Sequence, residues 1–272
     1  MHEKERHRII LSSVQEKPVV TVQEMVDLTE ASEATIRRDI AALHLQKRLR
    51  RVRGGAEGIT PPQFVGLAGR PFRVNETIHV VQKRAIAREA VKLCADGESI
   101  IIIINGGTTT WQMVNFLHSH RLQVFTNSFP IAEHLLHHSK NTIMVSGGMI
   151  YREQNIILSP FDNDVTRNFY AQKMFMGAQG LGPLGLMEGD PLLIQAEQKL
   201  INQADELVVL IDSSKFRQRS SLILCGLERI STIITDDGVA DSEQRMLENA
   251  GVKLIVASAG AAAFVEESTS AA

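Results

Sequence analysis

The chain is 272 residues long, 44% hydrophobic and 22% charged, with a formal net charge of −2. That length accommodates one large domain or two unequal ones, and the balance excludes both a disordered polyelectrolyte and a uniformly basic nucleic-acid coat. The charge is unevenly spread: residues 1–57 carry +2 and the remainder −4, so a short basic region can meet a polyanion while the rest of the chain stays acidic. Cys94 and Cys225 are too few for a disulfide framework, which points to a reducing compartment, the cytosol. The start, Met1-His2-Glu3-Lys4-Glu5-Arg6-His7-Arg8, has no leader-like apolar stretch, and the run Ile100–Ile104 is too short to span a bilayer, so no membrane is expected.

Three short helices are predicted first. Glu3 to Gln15 carries Ile9, Ile10 and Val14, and Pro18 ends it. Thr21 caps a second helix with Val22, Met25, Val26 and Leu28, and Ser32 caps a third in which Ile36, Ile40 and Leu43 form the inward stripe. That phase turns Glu33, Thr35, Arg37 and Arg38 outward, and the turn at 28–32 has the length a helix-turn-helix needs. A plain three-helix bundle with a solvated polar face fits the helical pattern equally. The next segment favours the helix-turn-helix: Lys47-Arg48-Leu49-Arg50-Arg51-Val52-Arg53 holds five cations and no acid, with Gly54-Gly55 behind, although a protease-sensitive basic linker would carry the same run. A β-wing of this composition lays arginines along phosphates or into a minor groove.

The string Thr35-Ile36-Arg37-Arg38-Asp39-Ile40, followed by the basic segment and Gly54-Gly55-Ala56, resembles the signature of the DeoR family of bacterial repressors. The resemblance implies double-stranded operator DNA as partner, with Ser32, Thr35, Arg37 and Arg38 at the start of a recognition helix and Arg50, Arg51 and Arg53 on a wing. Asp39 is expected to orient the arginines, because phosphate repels a carboxylate. Lys47 stands where the family commonly has a small turn residue and Arg53 where it often has His; both departures add charge.

Residues 58–75, with Pro61, Pro62, Gly66, Gly69 and Pro71, form a linker between a winged helix-turn-helix at 1–57 and an α/β domain at 76–257, and the Ala/Ser/Gly-rich tail at 258–272 is expected to be flexible. Strand-like runs at 99–104, 123–126, 142–146, 173–177, 207–212, 232–235 and 253–256 alternate with amphipathic stretches at 83–93, 109–117, 131–138, 194–204 and 241–250. This alternation predicts a largely parallel sheet flanked by helices, with ligands beyond the carboxyl ends of the strands. Three loops sit there: Asn105-Gly106-Gly107-Thr108-Thr109-Thr110, Thr126-Asn127-Ser128 and Ser146-Gly147-Gly148. The first opens a helix and offers N–H groups and hydroxyls that suit a phosphate. No GxxxxGK[ST] or GxGxxG is present, so nucleotide hydrolysis and dinucleotide binding lack their usual motifs.

The resemblance extends through Lys83-Arg84-Ala85-Ile86-Ala87, these loops, Ala196-Glu197-Gln198-Lys199 and Asp212-Ser213-Ser214-Lys215, and the stretches Leu158-Ser159-Pro160, 196–199 and 207–215 look closest to the family's ascorbate-utilisation branch. It implies a fold similar to ribose-5-phosphate isomerase, a phosphorylated sugar or sugar-acid effector, no cofactor, and a homodimer or homotetramer. By that resemblance Gly107 to Thr110 hold phosphate, Lys83 and Lys215 add charge, and Asn127, Glu197 and Asp212 meet hydroxyls; Lys215 as a surface lysine and Asp212 as a helix cap are the plain alternatives. His134 and His138, spaced i, i+4, lack a third ligand of obvious spacing, so no metal site is expected. Trp111 either lines the pocket or belongs to the core. The rival function is a sugar-phosphate isomerase, disfavoured because Gly177-Ala178-Gln179-Gly180-Leu181 holds no acid. A second rival is an architectural DNA binder with an inert second domain.

Overall fold

The computed structural model describes residues 2–16, 19–59, 71–94, 100–159, 161 and 164–258. Most of the expected linker, Ser99, Pro160 and nearly all of the expected flexible tail lie outside the described residues. The chain divides into two compact units, Met1–Val65 and Gly66–Ala272.

The first unit runs α1 (Glu3–Glu16), β1 (Val20–Thr21), α2 (Val22–Thr29), α3 (Glu33–Leu45), β2 (Leu49–Val52) and β3 (Gly55–Gly58). Thr21 closes a reciprocal cap on α2: its Oγ1 accepts from Glu24 N at 3.2 Å, and Glu24 Oε2 accepts from Thr21 N at 2.8 Å. Glu30, in the left-handed region at φ 54°, stops α2, and Ser32 Oγ accepts from Thr35 N at 3.3 Å to start α3. The turn of the helix-turn-helix is thus fixed from both sides by local chemistry. Ile36, Ile40 and Leu43 are buried against Ile10, Val14, Met25 and Leu49, as their spacing predicts. Leu28 is exposed, and Thr29 takes the inner position instead, its hydroxyl donating to Met25 O at 2.6 Å. The three strands form an antiparallel sheet in the order β1-β3-β2. A Cβ at Gly55 would stand 2.2 Å from Val20 O, so the wing can lie against β1 only with glycine there. Lys47 has φ 56°, which accounts for the small turn residue expected at this position.

Asp39 does not orient Arg37 or Arg38. Its carboxylate is buried and turned toward α1, accepting from Arg6 Nε at 2.8 Å and lying 3.2 Å from His7 Nε2. The cause is helical phase, since Asp39 follows Ile36 by three residues and precedes Leu43 by four, placing it on the inner face. Burial opposes its ionisation, but hydrogen bonds from Arg6 and His7 outweigh that and hold the carboxyl below its ordinary value.

In the second unit the chain runs α4 (Phe72–Asn75), α5 (Val80–Val91), β4 (Ile101–Ile104), α6 (Thr108–Trp111), β5 (Gln123–Thr126), α7 (Phe129–His138), β6 (Thr142–Val145), β7 (Met149–Tyr151) and β8 (Ile156–Leu158). It continues through β9 (Ala171–Met176), β10 (Gly180–Gly182), β11 (Gly185–Glu188), α8 (Pro191–Ile201), β12 (Ala204–Leu210), β13 (Leu222–Cys225), β14 (Thr232–Asp236), α9 (Asp241–Asn249) and β15 (Lys253–Ala257). The seven predicted strands are all present and form one sheet, β15-β14-β12-β9-β4-β5-β6, in which every pairing is parallel. Alternate residues bury opposite faces: Ile102, Ile104, Val208 and Leu210 meet α5 and α7, while Ile103, Leu207 and Val209 meet α8 and α9.

Three features depart from the sequence reading. Phe72 and Val74 are buried on α4, and Phe72 N donates to Glu153 O at 2.8 Å, so residues 72–75 are an ordered part of the second unit. The helix expected over 109–117 is a single turn, α6, followed by a tighter turn at Gln112–Asn115. Two antiparallel pieces, the β7–β8 hairpin and the sheet β10-β11-β13, have no counterpart in the sequence pattern, because their three- and four-residue strands are too short to show alternation. Burial pushes the Cys94 thiol up to about 12 and the Cys225 thiol up to about 11. Among the described residues no helix is long and apolar enough to cross a membrane.

The Asp39 cluster makes a prediction for the first unit. A lowered carboxyl pKa contributes stability above the unfolded value and loses it as pH falls, so Asp39→Ala lowers the calorimetric midpoint at neutral pH, and the gap to wild type closes below about pH 4. An unchanged midpoint at neutral pH would show that the cluster does not hold α1 to α3.

Candidate nucleic-acid interface and effector cavity

The outer face of α3 and the wing enclose an open groove of about 530 Å³, lined by Arg37, Arg51 and Arg53 together with His44, Gly54 and Gly55. Three of the seven residues expected to meet DNA therefore converge. Arg37 lies along its own helix, its Nη2 2.5 Å from Glu33 Oε1, and both side chains are more than half exposed. Arg38 is exposed on the same helix outside this groove. Arg50 pairs across the hairpin with Glu57. Ser32 is the cap of α3, with Thr35 beside it at 2.8 Å between hydroxyls, so both are placed at the start of the helix.

The second unit contains a cavity of about 390 Å³ at the carboxyl end of its sheet. Its walls come from the loop after β4 (Gly106 to Thr109), the loop after β9 (Gly177 to Gln179), the end of β12 (Leu210, Ile211), the end of β11 (Glu188), α8 (Leu193, Glu197) and the β7–β8 hairpin (Gln154, Ile156). Cations line it as well: Lys83, Lys215 and Arg219. Lys83 is 1% exposed, and its Nζ donates to the carbonyl of Asn75 on α4, itself a lining residue. Lys215 Nζ donates to Gln218 Oε1 at 2.9 Å.

Of the fourteen residues expected to hold the effector, the cavity collects Lys83, Gly106, Gly107, Thr108, Thr109, Glu197 and Lys215. The others support it or stand apart. Asn105 is fully buried and donates from Nδ2 to Glu197 Oε1 at 2.8 Å, while Thr110 Oγ1 donates to Asn105 O at 2.8 Å and to Gly107 O at 2.9 Å, bracing the loop from beneath. Asn127 Oδ1 accepts from Gly106 N at 2.8 Å, which takes one N–H of the expected phosphate loop into the protein. Ser128 caps α7. Gly147 is exposed, and Gly148, at φ 149°, serves the hairpin: a Cβ there would stand 2.1 Å from Leu158 O. Asp212 accepts from Ser214 N at 3.2 Å and from its hydroxyl, the cap role that was its plain alternative. Trp111 packs partly buried against the core and does not line the cavity. His134 and His138 have ring centroids 4.7 Å apart, and among the described residues no group of three or more His, Cys, Asp or Glu is arranged to hold a metal.

Sequence reasoning missed Asn75, Gln154, Gln179, Glu188 and Arg219. Glu188 matters most, because it supplies a second carboxylate to a cavity whose β9 loop has none. Both acids are 5% exposed. Burial, reinforced by the Glu188 charge and only partly offset by Asn105, carries the Glu197 carboxyl up to about 8. Burial likewise carries Glu188 up to about 7, against hydrogen bonds from the Gly189 and Asp190 backbone and the Gln179 side chain.

A raised folded pKa contributes stability that is complete below the unfolded value and is lost as pH rises through the folded one. The second unit should therefore lose thermal stability between about pH 4.5 and pH 8. Glu197→Gln, which keeps an acceptor for Asn105 but carries no proton to lose, should flatten that slope in a pH series of melting curves; an equal slope in wild type and variant would place the titration elsewhere.

Comparison with known proteins agrees with this division of labour. Residues 6–61 match a DeoR-like helix-turn-helix domain, and residues 78–237 match the DeoR C terminal sensor domain. The HTH-type transcriptional regulators UlaR of Shigella dysenteriae and of Escherichia coli K12 are each 32% identical over 258 residues, 94% of this chain and 99% of theirs. Among solved structures, eIF2B delta from Chaetomium thermophilum aligns at 18% identity over 60% of this chain and 59% of its own, with a TM-score of 0.39, too low to inform the fold. The matched models span most of the chain and the curated relatives cover nearly all of it: the chain belongs to the DeoR family of DNA-binding transcriptional regulators, with a helix-turn-helix unit followed by that family's sensor domain.

Proposed function

We propose that the protein is a cytoplasmic repressor of a carbohydrate catabolic operon, released from its operator when a phosphorylated sugar or sugar derivative occupies the sensor cavity. The observation that carries this reading is the convergence, at one end of a parallel sheet, of a Gly-Gly-Thr-Thr loop with Lys83, Lys215 and Arg219. Backbone N–H groups, hydroxyls and cations at the carboxyl ends of parallel strands are what a phosphate monoester requires. On the DNA side, Arg37, Arg51 and Arg53 supply a cationic groove between recognition helix and wing. A homodimer or homotetramer places two or more reading heads on repeated half-sites, and the effector favours an arrangement whose spacing fits the operator poorly. Moving from mostly bound to mostly released requires a preference of about 10⁴ between the two states, near 5.5 kcal/mol.

Glu188 and Glu197 keep a second reading in play. A buried carboxylate poised near neutrality is the equipment of a general base, so a sugar-phosphate isomerase remains the alternative. Incubating the protein with aldose phosphates and following ketose formation by NMR distinguishes the two; the regulator reading expects no turnover.

Arg37→Ala and Arg38→Ala should each weaken operator binding by about 1–3 kcal/mol and make the slope of log K against log salt shallower by about one for each phosphate left unneutralised. Unchanged operator affinity in both variants would remove α3 from the interface. Thr108→Glu, which sets a negative charge on the loop, should leave operator binding intact and abolish its relief by sugar phosphates in an electrophoretic shift assay, whereas retained relief would move the phosphate elsewhere.

A further inference from the structure

β6 is the last strand of the seven-stranded sheet, and among the described residues no strand pairs with its outer side. Thr142 N donates to Leu122 O at 2.9 Å and Ser146 N to Thr126 O at 3.4 Å, so the even-numbered residues turn their backbone groups to β5. By the alternation of a parallel ladder, Ile143 and Val145 turn their N–H and C=O groups outward, onto an open edge. Open edges of this kind are ordinarily guarded by a lysine, a proline or a bulge. The opposite edge has such a guard in the exposed Lys253 of β15. β6, Thr142-Ile143-Met144-Val145, carries no charge, and Val145 is exposed.

α7 continues this apolar edge above the sheet. His134 meets Trp111 of α6 edge-on at 5.4 Å between ring centroids, which marks the flank of α7 nearer the middle of the sheet. Leu136, two residues on, lies about 200° around the helix, on the other flank. Phe129, seven residues before Leu136, shares that side, and both are exposed. Glu133, midway between the buried Ile131 and Leu135, points away from the sheet.

The occupant this edge fits is a second copy of itself. With the strands antiparallel about a two-fold axis at Met144, Ile143 of each copy faces Val145 of the other, and every outward N–H meets a C=O. Thr142 then faces Ser146, and no charged residue stands opposite another along the strand. The same axis sets the two α7 helices, each seated over β5 and β6, about two strand spacings or 10 Å apart, a packing distance for helices. The chain's own last segment fits less well: residues 259–272 follow β15 at the far edge, about 29 Å from β6, so the crossing would use most of their length.

We propose that two copies of the chain join edge to edge through β6, antiparallel about Met144, so that their parallel sheets run on as one and their α7 helices pack side by side. This deepens the reading of the protein as an oligomeric regulator by naming the face through which copies meet.

Sedimentation equilibrium of the full-length protein should show a dimer or a larger even-numbered oligomer. Val145→Lys sets a charge on the exposed edge, and Ile143→Pro removes an outward N–H while sparing the ladder to β5. Each should weaken self-association about tenfold or more, with the far-UV circular dichroism unchanged. Met144→Cys gives a positive readout that stands even where an edge variant fails to fold. On the axis it faces its own counterpart and should form a disulfide-linked dimer on mild oxidation, whereas Thr142→Cys, four residues out of register with its counterpart, should not. The proposal is overturned if the wild type is oligomeric but the folded edge variants associate undiminished, or if Met144→Cys cross-links no more than Thr142→Cys. A monomeric wild type overturns it as well, and with it the oligomer of the proposed function.

Discussion

Parallel pairing governs the sensor unit. Because all seven strands of its main sheet run the same way, their carboxyl ends open on one edge, and segments far apart in sequence meet there by topology alone. The loop after β4, the loop after β9 and the end of β12 have no local reason to be neighbours. The hydrogen bond from Asn105 to Glu197, across 92 residues, ties the first of these loops to α8 and sets an acid at the cavity wall. The arrangement carries a cost: an acid placed where water is scarce keeps its proton more firmly than one in solvent, and the pocket is built around that tension.

The first unit handles charge in the opposite way. Its buried ion cluster, Asp39 with Arg6 and His7, is structural and joins helices, whereas the cations on the outer face are held only lightly. Arg37 leans on Glu33 and Arg50 on Glu57, and the exposed arginine of each pair stays open to solvent. Such surface pairs are worth little, about 0.2–1 kcal/mol, so neither acid holds its arginine tightly.

Much of this was legible in the chain itself, and the exceptions share a cause. Runs such as Ile101–Ile104 and Leu207–Leu210 are apolar on both faces, which only a buried parallel strand needs, and Thr21 and Ser32 announce their helices through hydrogen bonds made within three residues. The loop from Gly106 to Thr109 stood out as a candidate cavity wall because its glycines and threonines are consecutive. Glu188, Gln154 and Asn75 were not, since each is brought to the cavity by a short element that leaves no periodic trace: a four-residue strand, a hairpin and a one-turn helix. Ser128, Asp212 and Gly148 show the converse. Their residue types suit a ligand, but the same chemistry also caps a helix or permits a close turn, and tertiary placement decides between the uses. For Asp39 the decisive signal was its three-residue spacing from Ile36, which outranked its proximity to the arginines.

The two cysteines offer a practical consequence. The thiolate is the form that attacks an alkylating reagent, and both native thiols hold their protons well above neutral pH, Cys94 from within the core and Cys225 from a half-buried strand. A cysteine introduced on the open surface of the helix-turn-helix unit would therefore outpace both in reaction with a maleimide dye, with no need to remove either native residue. A label so placed would report on the first unit alone, in a protein whose core chemistry is otherwise untouched.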